Sequence, residues 1–361
     1  MCGKPGVGAS RYAGPVTVLP LAEHTTTGQV SLALRDGHGR VATDLRVSLT
    51  DKCNLRCVYC MPAEGLPWLT REEVLTDDEI VRLVRIATST LGVTQVRLTG
   101  GEPLIRAGVV ELVARLAALE NAPSIAVTTN GLGLARLARP LADAGLSRVN
   151  VSLDTVDPAT FRELTRRDRL ADVLTGMAAA AEAGLVPVKV NAVLMRGVND
   201  GQAVDLLAFC LAHGYELRFI EQMPLDAQHG WQRSTMVTAA EIRGALSERY
   251  DLRAEDATSR GAAPAQRYVV DGGPATVGII ASVSEPFCGA CDRTRLTADG
   301  QMRTCLFATT ETDLRTPLRG GADDHAIAVQ WSRAMLGKLP GHGIDDPTFL
   351  QPSRPMSAIG G

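Results

Sequence analysis

A strand-turn-helix unit repeats six times between residue 44 and about residue 250, and it limits the fold more than any other feature of the chain. Short alternating segments predict strands at 45–49, 95–99, 124–128, 148–153, 187–193 and 216–220. Stretches of helical period follow near 77–91, 108–119, 133–144, 169–183, 202–213 and 238–249. This alternation predicts an α/β fold with a parallel sheet. Six units predict a partial, open (βα)₆ barrel of the TIM type, because eight are needed to close one.

One face of these predicted strands is polar. Alternate residues of a strand point to opposite sides of the sheet. One set is apolar and should pack beneath the helices: Leu45, Val47, Leu49, Val96, Leu98, Val149, Val151, Leu153, Val188, Val190, Leu217 and Phe219. The other set is polar: Arg46, Ser48, Arg97, Thr99, Asn150, Ser152, Lys189, Asn191, Glu216 and Arg218. Parallel sheets are covered on both faces, so we predict a wet, cationic cavity inside the barrel; the alternative is that the polar set faces ordinary solvent.

Three cysteines follow the first predicted strand in C-x₃-C-x₂-C spacing: Cys53, Cys57 and Cys60. Three thiolates this close in sequence can hold one face of a [4Fe–4S] cluster, which ordinarily takes four cysteines. One iron would then stay open to a small molecule. The alternatives are a zinc knuckle or three unrelated core cysteines, but zinc prefers C-x₂-C pairs and four ligands.

The second predicted strand ends in Gly100-Gly101-Glu102-Pro103, about 40 residues after the cysteines. Glycines let a ligand approach the backbone closely, and the Glu102 carboxylate can accept hydrogen bonds from an ammonium group. Alone, a Gly-Gly turn is usually only a turn. Together with the first cysteine triad it indicates a binding site.

A second cysteine triad lies in the C-terminal part of the chain, where the pattern changes. From about residue 251 two hairpins are predicted, one pairing 266–270 with 275–280 and one turning at 298–300. Around the second hairpin lie three cysteines in C-x₂-C-x₁₃-C spacing: Cys288, Cys291 and Cys305. We interpret them as ligands of a second cluster with its own open iron. A zinc site with a remote fourth ligand is the alternative, His325 being the closest downstream histidine.

Two arginines are predicted to lie beside this second triad. In an extended strand Arg293 and Arg295 share a face with Cys291, as Arg303 does with Cys305. Guanidinium groups suit phosphate oxygens or the polar edge of a base. The alternative is a pair of surface arginines.

Composition limits the compartment and the partners. The chain has 37 basic and 40 acidic residues, a net charge of −3, and no long run of one sign, so a nucleic-acid surface is not expected and a local basic site would suit a small anion. The sequence has no signal-peptide pattern and no apolar run near the roughly 18 residues that would cross a bilayer, which favours the cytoplasm. Six of the eight cysteines fall in the two triads, which points to metal sites rather than disulfides, and Cys210 is expected in the core.

We expect three parts along the chain. Residues 1–43 should form a partly disordered N-terminal extension, residues 44–250 the partial barrel, and residues 251–361 a small C-terminal α+β domain. This last part would carry the second cluster and the Gly-Gly end.

Taken together, these motifs closely resemble the GTP 3′,8-cyclase family of radical S-adenosylmethionine (SAM) enzymes. The first triad and the Gly-Gly-Glu-Pro turn are typical of the whole superfamily, and the second triad with its arginines and the Gly-Gly end is specific to the family. The resemblance covers residues 44–361. Gln222 departs from it by standing where an apolar residue is expected.

The resemblance implies two [4Fe–4S] clusters and SAM as cofactors. The ligands would be Cys53, Cys57 and Cys60 for the first cluster and Cys288, Cys291 and Cys305 for the second. SAM would be bound by Tyr59, Gly100, Gly101, Glu102, Thr129, Ser152 and Met223. GTP would be bound by Arg46, Arg97, Lys189, Arg218, Arg293 and Arg295. The residues with catalytic roles would be Arg293, Arg295, Gly360 and Gly361.

The implied reaction begins with reductive cleavage of SAM and joins the 3′ carbon of the GTP ribose to guanine C8. The implied partners are an electron donor of the flavodoxin or ferredoxin kind and the cyclic pyranopterin monophosphate synthase that uses the product, with no nucleic acid or membrane involved. The protein would be a monomer or a homodimer.

Two other functions compete with this one. A peptide-modifying radical SAM enzyme would use the second triad as part of an auxiliary-cluster domain, but such domains usually carry about seven cysteines. A non-enzymatic electron carrier or zinc-binding module would explain neither an open iron nor inward-facing cations.

Overall fold

The predicted parallel strands form the centre of a single 12-stranded sheet in the computed structural model, which describes residues 32–256 and 260–360. The six strands of the repeat are β1 (Asp44–Ser48), β2 (Gln95–Thr99), β3 (Ser124–Thr129), β4 (Arg148–Ser152), β5 (Lys189–Val193) and β6 (Glu216–Ile220). Each is parallel to its neighbour in chain order. The α/β class and the six strands of the repeat are confirmed. The expectations for residues 1–31 and for Gly361 lie outside the described residues.

Helices connect these strands as the periodicity predicts. They are α1 (Asp77–Ser89), α2 (Val109–Ala117), α3 (Leu134–Asp143), α4 (Pro158–Thr165), α5 (Leu170–Glu182), α6 (Ala203–Ala212) and α7 (Ala239–Ser247). The predicted ends differ from these by one to a few residues, because capping decides where a helix stops. Thr76 and Glu79, for example, form a capping box at the start of α1. Helix α4 was not predicted, although Asp157 caps it and Pro158 occupies its first turn.

The C-terminal residues extend both edges of the same sheet. Their strands are β7 (Leu252–Ala254), β8 (Gln266–Val270), β9 (Thr276–Ile280), β10 (Arg293–Leu296), β11 (Gln301–Arg303) and β12 (Thr312–Asp313). Strand β9 is parallel to β6 and strand β10 is parallel to β1, which gives eight parallel strands. Both predicted hairpins, β8–β9 and β10–β11, are antiparallel pairs and are confirmed. Three short helices follow, α8 (Arg315–Arg319), α9 (Asp324–Leu336) and α10 (Met356–Ile359).

The described part of residues 32–361 is therefore one compact unit. The division of the chain at residue 250 stays a prediction, to which the structure adds that strands from both sides of it share one sheet. Residues 32–43 contribute a turn closed by a bridge between Arg35 and Val41. No helix in the described residues is long and apolar enough to cross a membrane.

The two sets of strand residues face where the sequence predicts. The apolar set is buried in one hydrophobic cluster with the inner faces of the helices. Polar residues of the other set line a cavity on the opposite side of the strands. The predicted cationic cavity is thus confirmed, and the solvent-facing alternative is wrong, because the curved sheet closes this face around an interior space.

Candidate active site

The cavity inside the sheet has a volume of about 610 Å³ and brings together residues from both halves of the chain. It is lined by all six cysteines of the two triads. It is also lined by the residues predicted to bind SAM, namely Tyr59, Gly100, Gly101, Glu102, Thr129, Ser152 and Met223. The residues predicted to bind GTP line it as well, namely Arg46, Arg97, Lys189, Arg218, Arg293 and Arg295. Their individual roles stay predictions.

The two triads lie at opposite ends of this cavity. The first triad follows the carboxyl end of β1, the edge where the Gly100-Gly101 turn also follows β2. The second triad precedes β10 and follows β11. Arg293, the first residue of β10, pairs with Asp44, the first residue of β1, so the second triad is at the amino edge of the parallel strands.

The loop of the first triad is held by helix α4. The backbone N–H of Arg56 donates to the Thr165 carbonyl at 3.1 Å, and that of Val58 donates to the Leu164 carbonyl at 2.9 Å. Burial raises the pKa of the Cys57 thiol well above its ordinary value, with Asp154 and the neighbouring thiols adding to the effect. Burial likewise raises the pKa of Cys60 to about 12. As thiolates, these groups need a cationic partner, which the irons of a cluster would supply.

The Gly100-Gly101-Glu102 turn packs against the backbone that leads to the first triad. Gly101 N–H donates to the Thr50 carbonyl at 2.7 Å, and Glu102 N–H donates to the Lys52 carbonyl at 2.8 Å. A Cβ atom on Gly101 would overlap the carbonyl of Lys52, so the approach of the two loops requires glycine there.

Glu102 is fully buried and is held by three donors. Its carboxylate accepts hydrogen bonds from Leu104 N–H at 2.9 Å, from the Thr129 hydroxyl at 2.7 Å and from Asn130 N–H at 2.7 Å. Burial nevertheless raises its pKa to about 7, because these neutral donors only partly replace water. A ligand ammonium group would restore the ionised form.

Tyr59, inside the first triad, is fixed by a carboxylate that the sequence analysis did not assign. Its hydroxyl donates to Asp154 at 2.7 Å, and the other oxygen of Asp154 accepts from Val193 N–H at 2.8 Å. Burial raises the pKa of Asp154 to about 6. Asp154 therefore sets the orientation of the tyrosine ring at the edge of the cavity.

A row of arginines crosses the cavity from one edge of the sheet toward its centre. Strand register places them as neighbours in the order Arg303, Arg295, Arg46 and Arg97, with Arg148 one strand beyond Ala126. Burial, together with the nearby guanidinium of Arg46, lowers the pKa of Arg97 to about 9. Burial also lowers the pKa of Arg218, to about 10.

These cations are incompletely neutralised by the protein. The Nε–H groups of Arg46, Arg97 and Arg218 find no acceptor within the described residues. Lys189 differs, because its ammonium donates to Glu216 at 2.9 Å. Orphaned donors with mutually repelling charges fit an anion with several oxygens.

The second triad has cationic contacts of its own. The Arg293 guanidinium lies 4.9 Å over the Phe287 ring and donates through Nε to the Cys291 sulfur at 3.4 Å. Burial raises the pKa of a thiol, but Arg293 and the buried Lys338 outweigh it and lower the pKa of Cys291 to about 7. The two cations therefore favour the thiolate form of Cys291 before any metal binds.

The last described residues lie against the cavity, which Met356 and Ser357 help to line. Arg295 donates through Nη1 to the Gly360 carbonyl. Gly360 has φ +84°, and a Cβ atom there would overlap the hydroxyls of Ser48 and Thr99. Ile359 before it is buried against Leu225 and Phe307. Gly361 lies outside the described residues.

The chemistry of both donor sets fits an iron–sulfur cluster. In each triad three free, half-buried thiols face one shared space. Within residues 32–256 and 260–360, no three His, Cys, Asp or Glu side chains are grouped to hold a single metal ion. A cube presents a different iron to each cysteine, so its ligands need not converge on one point.

Several residues of the cavity were missed by the sequence analysis. Arg148 lies on the polar face of β4, two residues before Asn150, so the same alternation could have found it. Phe287 and His342, which line the cavity, and Lys338, which contacts the sulfur of Cys291, gave no signal, because each depends on contacts between segments distant in sequence. Gln222 is buried as an apolar residue would be, and its side-chain oxygen has no partner among the described residues.

Comparison with known proteins matches two successive parts of the chain to two different families. The Radical SAM superfamily matches residues 47–210, and the family described as Molybdenum Cofactor Synthesis C matches residues 215–344. A GTP 3′,8-cyclase of Streptomyces coelicolor is 66% identical over 328 residues, which cover 91% of this chain and 96% of that protein. One of Mycobacterium sp. (strain KMS) is 62% identical over 347 residues, which cover 96% and 98%.

Solved structures agree on the fold. Streptococcus suis SuiB bound to S-adenosylmethionine superposes with a TM-score of 0.55 over 80% of this chain and 67% of its own, at 15% identity. SuiB bound to its precursor peptide SuiA gives a TM-score of 0.56 over 88% and 76%, at 13% identity. At such identities the likeness concerns the fold alone, and it confirms the partial barrel.

Proposed function

Because this chain belongs to the GTP 3′,8-cyclase family of radical SAM enzymes, we propose that it converts GTP to (8S)-3′,8-cyclo-7,8-dihydroguanosine 5′-triphosphate, the first step of molybdenum cofactor synthesis. The observation that carries the proposal is the cationic cavity with a cysteine triad at each end. One end suits SAM and the other suits a nucleotide. The barrel then sets the distance between SAM and the nucleotide.

The cysteines hold the two clusters in this proposal, Cys53, Cys57 and Cys60 at the carboxyl edge and Cys288, Cys291 and Cys305 at the amino edge. When bound, the first cluster and SAM supply the 5′-deoxyadenosyl radical that removes the ribose 3′ hydrogen before C3′ joins guanine C8. Cys288, Cys291 and Cys305 would supply only three ligands to the second cluster, which would leave it able to bind the polar edge of the guanine.

The protein's part at the first end is to orient SAM. Glu102 accepts hydrogen bonds from the SAM ammonium group, and the Thr129 hydroxyl holds the Glu102 carboxylate in place. Gly100 and Gly101 provide the close backbone approach, and Tyr59, Ser152 and Met223 line the remainder of the pocket.

The protein's part at the other end is to hold the triphosphate and the base. Arg46, Arg97 and Arg218 have free guanidinium donors for phosphate oxygens, and Lys189 supplies a further cation. Arg293 and Arg295 lie beside the second triad, where they steady the base. Gly360 brings backbone groups to the substrate through its contact with Arg295, and the family resemblance gives Gly361, which lies outside the described residues, the same role.

We further propose that an electron donor of the flavodoxin or ferredoxin kind reduces the first cluster and that the product passes to cyclic pyranopterin monophosphate synthase. A reducing cytoplasm suits cluster thiolates that line an open cavity, because it keeps them from forming disulfides. A monomer or a homodimer satisfies the site equally, because every residue invoked belongs to one chain.

The test is 5′-deoxyadenosine formation by anaerobically reconstituted protein with SAM and a reductant, in the presence of GTP, ATP or no nucleotide. We expect formation to depend on GTP and to yield a cyclised nucleotide in mass spectrometry. Equal formation in all three would remove GTP as substrate and favour another substrate class, such as a peptide. No formation would favour a non-enzymatic iron–sulfur or zinc protein.

A further inference from the structure

A buried lysine reaches the second triad from a segment outside both cysteine motifs. Lys338 lies two residues after α9 and is only 3% exposed. Its ammonium group donates to the Arg293 carbonyl at 2.7 Å, to the Cys291 sulfur at 3.3 Å and to the Cys291 carbonyl at 3.4 Å. All three N–H bonds thus point at the segment that carries one cluster ligand.

This cation has no carboxylate partner among the described residues within 4.0 Å. Burying an unpaired charge costs several kcal/mol, so a buried ammonium group needs an anion nearby. Two of its three acceptors are neutral carbonyls. The sulfur of Cys291, as a thiolate, is the acceptor that can balance the charge.

The two residues that follow Lys338 are held in place by Arg40. Arg40 donates to the carbonyls of Leu339 and Pro340 and, at 2.7 Å, to the carbonyl of Cys288. Arg40 is itself paired with the buried Asp36. The residues around Lys338 are therefore tied to two ligands of the second triad at once.

We propose that Lys338 is a positioning residue for the second cluster, whose ammonium group balances the Cys291 thiolate and raises the reduction potential of the cluster. A hydrogen bond from a cation to a ligand sulfur stabilises the reduced, more negative state. This inference rests on the proposed function, because it requires that the second triad holds a cluster.

The experiment uses full-length protein in which Cys53, Cys57 and Cys60 are alanine, so that only the second cluster is titrated. The midpoint potential is followed by electron paramagnetic resonance in the parent, K338M, K338Q and K338R. We expect K338M and K338Q to shift the one-electron equilibrium about tenfold toward the oxidised cluster, which corresponds to ~59 mV. K338R, which keeps a cation, should stay close to the parent.

R333M is the matched control, because Arg333 lies on the exposed side of α9 and its loss removes the same charge without touching the triad. K338Q protects against a folding defect in K338M, since an amide can still donate to the Arg293 carbonyl. If K338M loses its iron, the midpoint potential of K338Q is compared with that of the parent instead. If K338M and K338Q both lose iron and K338R keeps it, the role of Lys338 is also supported, because K338R differs from the two neutral variants in restoring the positive charge.

Midpoints of K338M and K338Q equal to that of R333M would overturn the role of Lys338 and leave the cluster assignment standing. A parent protein without iron would instead overturn the second cluster itself, and this inference with it. Iron content and potential together separate the two failures.

Discussion

The two cysteine triads have the same number of thiols, but they differ in the charged side chains that contact one thiol of the second triad, Cys291; the pKa of its neighbour Cys288 is raised by burial like those of the first triad. At the first triad the carboxylate of Asp154 helps to raise the pKa of Cys57, and the neutral side-chain amide of Asn130 donates to the Cys53 sulfur at 3.8 Å. At the second triad Arg293 and Lys338 both donate to Cys291. The pKa is raised to about 12 for Cys60 and lowered to about 7 for Cys291.

This contrast indicates different work for the two sites. Anionic and neutral neighbours destabilise the extra electron of a reduced cluster, which suits a site that must give an electron away. Cationic neighbours stabilise negative charge, which suits a site that binds an anionic nucleotide and keeps its ligands ionised. Counting cysteines alone would not distinguish the two.

The largest effects are expected when one cysteine ligand is removed from each triad in turn. C57A should abolish 5′-deoxyadenosine formation, because the iron that binds SAM is lost. C291A should still cleave SAM but lose the dependence on GTP and the cyclised product. Each variant should keep about four irons per chain, the content of one cube.

C210A is the matched control, since Cys210 is fully buried in the hydrophobic core, away from both triads. It should retain both iron and activity. If C291A abolished SAM cleavage as completely as C57A, the division of labour between the triads would be wrong.

A second effect concerns the cations between the triads. R218M should weaken GTP binding about 30- to 160-fold, because a hydrogen bond to a charged group contributes ~2–3 kcal/mol where no other donor replaces it. The affinity for SAM should not change. Anaerobic calorimetry with each ligand measures both.

R253M provides the comparison, because Arg253 is exposed on β7 and carries the same charge. An equal loss of GTP affinity in R253M would mean that net charge, rather than the cavity, attracts the nucleotide. A loss of SAM affinity in R218M would mean that Arg218 contributes to the SAM end of the cavity, next to the first triad.

A third effect tests the chain end that lies against the cavity. In G360A the new Cβ would meet the hydroxyls of Ser48 and Thr99 at a positive φ, and strain of ~1–2 kcal/mol should displace the tail from Arg295. We expect kcat to fall about tenfold with little change in SAM affinity.

G341A is the control, since a Cβ on Gly341 meets nothing within 4 Å and no positive φ is required there. Steady-state rates of cyclised-nucleotide formation compare the two variants. Unchanged turnover in G360A would mean that the contact between Arg295 and Gly360 has no part in the reaction.

The sequence predicted the features that depend on periodicity and on residues close together in the chain. Alternation located the strands and the polar face, since a strand with one buried side must keep its register. It could not show that the second triad lies at the amino edge, because that follows from the pairing of β10 with β1, almost 250 residues apart in the chain. Lys338 was equally out of reach, since a lone lysine after a helix carries no signal. The SAM and GTP contacts stay predictions.

The smallest effect concerns the carboxylates near the first triad. The pKa of Glu102 is raised to about 7 by burial, so below that pH the free protein holds a proton that SAM must displace. The affinity for SAM should therefore rise with pH, about fourfold from pH 6.5 to 8, and level off above, as the ionised fraction does. Titration calorimetry across this range measures it.

E102Q decides which carboxylate is responsible. A glutamine cannot ionise, so its SAM affinity should be weaker at every pH and nearly independent of pH over this range. A slope that persists in E102Q, with its midpoint near pH 6, would assign the proton to Asp154, whose pKa is raised to about 6. The anionic character of the first site would then come from the residue that orients Tyr59 rather than from the one proposed to hold the ligand ammonium group.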